Sequence, residues 1–519
     1  MSHLSRRTLL TATGGALVSS SFIATVGTSA ALADTSGSDD STPVRQLRGM
    51  WIATVWGIDW PTVGASIEQQ KQEYEALLDA AVEMNLNAVV SQVRPVADAF
   101  WPSPYEPWSQ FITGEQGKDP GYDVLAWQIE QAHKRNLEFH AWFNPYRAAI
   151  NPDPELLAEG HPVREHPEWT FTFNNQILYN PGIPEVQEFI RDAMMHAVEN
   201  YDVDAMHWDD YFYPYPSADG IPLPDQETYE TYSDGTLSIE DWRRENVNSM
   251  VRKTHERIKA TKPWVKFGIS PFGVWRNKSS DPRGTDTRNF ETYDSQFADS
   301  RRWVLEGWLD YINPQIYWQM TAATGGHDIV VDWWRDLVAG TDVHLYIGHG
   351  AYQAETWGAI DEFVEQMDHS VATDEVDGNI FFSASDMIED PTGALTRMMD
   401  KHYSSPALIE PFTARAEDEP LPATPTALRR TGPKGATASL RWNLLPKESA
   451  TAYYAIWSLP EQVTDADTVE EVGTLLATQR ATDGVVQKAD VPVDGAKILA
   501  VTALDRRHRM SDAVTVRVN

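Results

Sequence analysis

The chain has 519 residues, with 76 Asp and Glu against 42 Lys and Arg, a formal net charge of -34 and no cysteine. An acidic excess of this size repels phosphate backbones and anionic headgroups, which excludes nucleic acid and membrane surfaces as expected partners. Without cysteine there is no disulfide, thiolate metal site or cysteine nucleophile, and the length suits one large domain and a smaller one.

Residues 1–33 place Arg6 and Arg7 ahead of an apolar run that ends at Ala31, Leu32 and Ala33. A basic start, a short apolar stretch and a small-x-small ending mark an export signal. The order Ser-Arg-Arg-x-Leu-Leu resembles a twin-arginine signal, whose substrates cross the membrane folded. Cleavage is expected near Ala33, with an uncleaved signal anchor as the alternative; it moves the formal charge to -36 and leaves no membrane insertion. The mature protein is then exported, extracellular or cell-wall associated. Residues 34–44 read as a disordered spacer.

From 45 to 405, β-rich runs alternate with amphipathic helical stretches. Eight runs are found, at 49–55, 87–93, 138–143, 205–209, 266–270, 311–317, 344–348 and 379–384. Between the first two, Ser66 and Gln69 have capping-box spacing, and Tyr74, Leu77, Leu78 and Ala81 share a helix face. Ser238 caps a second helix whose inner stripe is Val247, Met250, Val251, Thr254 and Ile258. Eight strands with helices between them, and no Gly-rich first turn, predict a closed (β/α)8 TIM barrel in the α/β class rather than an open doubly wound sheet. After a Pro- and acid-rich linker, 406–422, residues 423–519 turn to short alternating runs. They predict a small all-β, immunoglobulin-like sandwich. Leu440 and Trp442, the strand Tyr453 to Trp457 and the stretch VTALDRRHRMSDAVTV resemble a fibronectin type III domain, which serves as a spacer, a carbohydrate-binding appendage or structural padding.

In such a barrel the working residues follow the C-terminal ends of the strands. Here those positions hold Trp56, Asp59 and Trp60; Arg94, Asp98 and Trp101; Asn144, Tyr146 and Arg147; Asp209, Asp210, Tyr211 and Tyr213; Phe272, Trp275 and Arg276; Gln315, Tyr317 and Trp318; His349 and Tyr352; and Ser385 and Asp386. Sugars present flat C–H faces ringed by hydroxyls, so aromatic platforms beside planar hydrogen-bonding groups point to a saccharide cleft.

The sharpest local pattern is His207-Trp208-Asp209-Asp210-Tyr211 at the end of the fourth run. Two adjacent carboxylates raise at least one pKa, as an acid paired with an ionised partner requires. Neighbours on a regular strand face opposite ways, so both reach the cleft only if the strand ends at Asp209 and turns. A helix cap or an ion pair with arginine is the structural alternative. Asp98 is read as salt-bridged to Arg94 with a lowered pKa; Asp59 and Asp386 are weaker candidates. His140, His207 and His349 show no spacing that commits them to one metal ion, and a strand-end His is expected to pack or to bond a sugar hydroxyl. No metal or cofactor is expected. G-x-S-x-G is absent, which removes the serine-hydrolase reading.

The stretches RGMWIATVWGIDWP, QVRPVADAFWPSPYEPWS, DPGYDVLAWQIEQAHKRNLEFHAWFNPYR, HWDDYFYP, FGISPFGVWRN and DYINPQIYW together resemble the glycosyl-hydrolase-like family 10, over roughly residues 45 to 400. The resemblance implies an exported TIM-barrel hydrolase acting on glycans, a member of the family being known to cut peptidoglycan strands stripped of peptide. It places the catalytic carboxylates at Asp209 and Asp210 and substrate contacts at Arg94, Asp98, Asn144, Tyr146, Arg147, Gln315 and Tyr317. Trp101, Trp142, His207, Tyr211, Tyr213, Trp275, Trp318 and Tyr352 complete the candidate cleft. The pair is similar to hexosaminidases whose substrate N-acetyl group attacks; the alternative pairs Asp210 with a carboxylate from another strand. The expected function is hydrolysis of an extracellular glycan, with a non-catalytic wall-binding protein and an α-glycosidase as alternatives. The segment from Tyr213 to Ser238 and the stretch after Trp318 are the expected lids.

Overall fold

Each of the eight predicted runs becomes a strand of one closed parallel barrel: β1 (Leu47–Ile52), β2 (Ala88–Arg94), β3 (Glu138–Phe143), β4 (Ala205–Trp208), β5 (Lys266–Ile269), β6 (Tyr311–Ile312), β7 (His344–Gly350) and β8 (Val376–Phe382). Strand order follows the chain, and Gly49 closes the ring by pairing Ala88 on one side and Ile380 on the other. This computed structural model describes residues 43–414, 419–431, 436–443, 450–482, 484, 486–493 and 496–518, so the expected signal in 1–33 lies outside the described residues. Thr42–Asn519 form a single compact unit.

The strands are buried along nearly their whole length because side chains alternate between lumen and helix layer, and both sides are covered. Leu47, Trp51, Val90, Trp142, Ala205, Tyr311, Tyr346 and Ile380 meet in the lumen. Their neighbours in sequence, such as Met50, Val89, Phe143, Met206 and Trp208, pack outward into a separate cluster with the helices. Helix α1 (Ile67–Glu83) starts where Ser66 accepts the Gln69 N–H and buries Tyr74, Leu78 and Ala81. Helix α2 (Ile239–Thr261) is capped by Ser238 and buries Val247, Met250, Val251, Thr254 and Ile258.

The run at 311–317 is shorter than predicted. Pro314 lacks the N–H that a central ladder needs, so regular pairing stops after Ile312, and Gln315 rejoins its neighbours only through isolated bridges to Phe272 and Gly348. Between β3 and β4 an unpredicted antiparallel sheet rises above the barrel, built from Arg147–Ala149, Thr170–Phe173 and Gln176–Tyr179.

The described strands between 426 and 517 form two antiparallel sheets. Strands β9 (Thr426–Thr431), β10 (Thr437–Asn443) and β13 (Val486–Pro492) make one, in the order β9-β10-β13. Strands β11 (Thr451–Leu459), β12 (Thr474–Arg480), β14 (Ile498–Asp505) and β15 (Val514–Arg517) make the other, in the order β12-β11-β14-β15. Trp442, Tyr454, Ile456, Leu499 and Val501 fill the space between them. This sandwich packs on the barrel floor, where the strands begin. Arg45 reaches Glu470, Arg480 reaches Asp204 at 3.3 Å, and His508 reaches Glu138 at 2.7 Å.

Candidate active site

A single file of polar side chains climbs the lumen from floor to mouth. The indole of Trp51 can only donate, so its bond to Nε2 of His207 (3.2 Å) makes that nitrogen an acceptor and puts the ring hydrogen on Nδ1. Nδ1–H of His207 then donates to the Tyr311 hydroxyl at 2.9 Å, which donates to Nδ1 of His140 at 3.0 Å. His140 in turn donates from Nε2 to Glu138 at 2.9 Å. Lys266 and His508 also hold Glu138, whose carboxyl lies well below the usual range because burial, the largest single influence, is outweighed by Lys266, His508 and the bonds from His140 and His508 together. Burial keeps the His207 ring neutral. The floor of the site is therefore rigid and uncharged at its top.

Directly above this file the lumen register of β4 runs from His207 to Asp209. The strand ends at Trp208, one residue earlier than expected, and the turn lets Asp210 join Asp209 on the cleft side. Asp209 accepts from the Trp142 indole at 3.0 Å and from the Asn144 amide at 3.1 and 3.2 Å. Asp210 accepts from the Tyr215 hydroxyl in a short bond and from Gln315 at 3.3 Å, while Gln296 holds its backbone carbonyl at 2.7 Å. Both carboxylates are buried, 4% and 7% exposed, and neither caps a helix or lies within ion-pair distance of an arginine among the described residues. Burial, with the Asp210 charge adding to it, pushes Asp209 up to about 7, and burial raises Asp210 as well. Both carboxyls are thereby biased toward the protonated form, which suits the pair to give and take a proton.

Around this pair the rim is aromatic. Tyr211 and Tyr215 meet edge to face, Tyr215 contacts Phe290, and Phe290 leads through Phe272 to Trp318. On the far side Tyr317 lies against Phe382 and Tyr352, the last 38% exposed. Gly350 leaves room here, since a Cβ would come within 3.1 Å of both Tyr317 and Tyr352. The loops after β5 and β6 enclose a further groove of about 470 Å³ lined by Asp286, Arg288, Thr321, Thr324 and Asp328, on the stretch expected to act as a lid.

The predicted residues separate into three groups. Tyr211, Tyr317, Trp318 and Tyr352 are partly open on the rim. Trp142, Asn144 and Gln315 hold the carboxylates, and His207 spends both ring nitrogens on the protein beneath them, leaving none for a sugar hydroxyl. Arg147 lies beside the pair with its guanidinium over Tyr211, and the other predicted residues require correction. Arg94 is not paired with Asp98: its guanidinium grips Glu106 through two bonds and the carbonyl of Asn144, wholly out of contact with the cleft. Asp98 is fully buried under Gln116 and the Gln110 N–H, and burial pushes it up to about 7 where a lowered value was expected. Trp101 donates to His196, Trp275 donates to Asp299 and stacks on Trp333, and Tyr146 and Tyr213 are fully buried. These six brace the loops. Asp59 does likewise, accepting from Ala53, Ser383 and Ser385, and Asp386 completes a cap with Ser383. Tyr215, Ser270 and Trp51 were missed, although Tyr215 stands only five residues beyond Asp210 and the other two lie in predicted strands.

The profile of the family described as Glycosyl hydrolase-like 10 matches residues 46–364. The chain is 44% identical to glycosyl hydrolase YngK of Bacillus subtilis (strain 168) over 488 residues, 90% of this chain and 92% of that one. It is 39% identical to glycosyl hydrolase DigH of Escherichia coli (strain K12) over 365 residues, 65% of this chain and 83% of that one. Among solved structures it is similar to the glycoside hydrolase domain of PgaB (BpsB) from Bordetella bronchiseptica, at TM-score 0.41 and 11% identity, over 69% of this chain and 99% of that one, a likeness too slight to bear on function.

Proposed function

We propose, from the premise that this chain belongs to the glycosyl hydrolase-like 10 family, that it hydrolyses glycosidic bonds of an extracellular N-acetylated glycan, with peptide-free peptidoglycan strands as the leading substrate. The observation that carries the reading is the buried pair Asp209 and Asp210, raised together at the mouth of the barrel. All the hydrogen-bond partners of Asp209 are N–H donors, which suit a carboxylate; Asp210 faces a tyrosine hydroxyl that can donate or accept. The role of proton donor is therefore assigned to Asp210. The upward push on Asp209 is offset once a substrate acetamide N–H adds another donor.

In the reaction, Asp209 orients the acetamide so that its carbonyl oxygen attacks C1. The C1–O bond breaks as Asp210 gives its proton to the leaving oxygen. Water then opens the cyclic intermediate, with Asp210 now taking the proton, and the anomeric configuration is retained. Incubation with denuded strands, chitin and a plant-polysaccharide panel, read by mass spectrometry with NMR of the fresh products, tests this. Retained anomers from denuded strands and inhibition by a thiazoline analogue are expected, whereas inverted product rejects the mechanism. If no glycan is cut but strands bind, the protein is a wall-binding module.

A further inference from the structure

Among the described residues, one buried cation at the site has no hydrogen-bond or ion-pair partner for its side chain. Arg147, 4% exposed, opens the small sheet above the barrel and lays its guanidinium 4.3 Å over the face of Tyr211. Its Nε is enclosed without a hydrogen bond, and among the described residues its side chain makes neither a hydrogen bond nor an ion pair within 4 Å. Arg94, equally buried, has Glu106 and two carbonyls. Yet the charge of Arg147 is felt by both Asp209 and Asp210. A buried guanidinium is costly unless a planar acceptor meets its fork, and a carboxylate fits that fork best.

We propose that Arg147 reads a carboxylate carried by the substrate sugar, on the same ring as the N-acetyl group that Asp209 orients. This rests on the proposed reaction, since that reaction places an acetamide at Asp209. A ring that bears an acetamide on one carbon and, on the next, an ether-linked lactyl group ending in a carboxylate is N-acetylmuramic acid with its lactyl group free. Alternating polymers of N-acetylhexosamine and uronic acid put the two groups on neighbouring rings instead. A strand whose lactyl group is amide-linked to peptide lacks the charge.

The test compares kcat/KM on denuded strands, the same strands converted to lactyl carboxamides with carbodiimide and ammonia, and hyaluronan. Wild type is expected to prefer the acid strands by about tenfold to a hundredfold. Arg147→Met should bring that ratio close to one, chiefly through KM, and Arg147→Lys should restore part of it. Because the ratio is taken within one variant, any effect of Arg147 on the carboxylates themselves cancels. Binding to Asp210→Asn, with and without Arg147→Met, reads the same preference without turnover. Equal use of acid and amidated strands by wild type, or a preference that survives Arg147→Met, overturns the assignment while leaving the hydrolase reading intact. Hyaluronan cut in an Arg147-dependent manner overturns the single-ring placement. No turnover of any strand rejects the hydrolase reading, and the binding arm still judges Arg147.

Discussion

At the residue scale, the two carboxylates differ in what holds them, and that difference predicts different responses to the leaving group. A general acid matters in proportion to how poor the leaving group is. Asp210→Asn should therefore lose about 100- to 10,000-fold on a glycan but much less on an activated aryl glycoside. Asp209→Asn should lose comparably on both, because it disturbs the attacking group. Equal losses for the two variants on both substrates would contradict the assigned roles. Asp98 carries a prediction on stability. Its folded pKa, about 7, lies above the ordinary 3.8, so between those values the native state holds a proton that the unfolded chain has lost. Its contribution to stability therefore falls as pH rises through that window. Asp98→Asn, which stays neutral, should raise the melting temperature relative to wild type at pH 8, and the gain should disappear near pH 4, as scanning calorimetry at the two pH values would register.

At the scale of the element, the strands were legible and the loops were not. Alternation of lumen and helix-layer side chains leaves a repeating imprint, so all eight barrel strands and the position of the acidic pair could be read directly. What could not be read is where long side chains at strand ends curl back. Arg94 reaches a carboxylate twelve residues on, in a loop without periodicity. The sheet that carries Arg147 is made of three- and four-residue strands, too short for a pattern. Exposure was the commonest error: Trp101, Tyr146, Tyr213 and Trp275 follow strands as expected but turn inward to support those loops. Arg94→Met should strand the buried Glu106 charge and cost about 3–5 kcal/mol. Urea denaturation would measure it, and the KM of the enzyme that remains folded should hardly move, the reverse of what a substrate contact would give.

At the scale of the whole molecule, the sandwich is part of the barrel floor. The turn between β14 and β15 presents His508, in the left-handed region at φ 60, to Glu138, while Arg480 and Tyr453 reach Asp204 at the foot of β4. Removing residues 423–519 should expose Glu138 and Asp204 and lower the melting temperature and soluble yield of the barrel, not merely its affinity for a polysaccharide. His508→Ala in the full chain should cost about 1–3 kcal/mol by chemical denaturation. His508→Gln, able to donate to the same oxygen, should recover part of that. A trailing module can be exchanged between lineages with little penalty, but a stopper is inherited with the vessel it closes. A chimera that couples this barrel to a foreign β-module should therefore succeed only where the newcomer brings a donor of its own to Glu138.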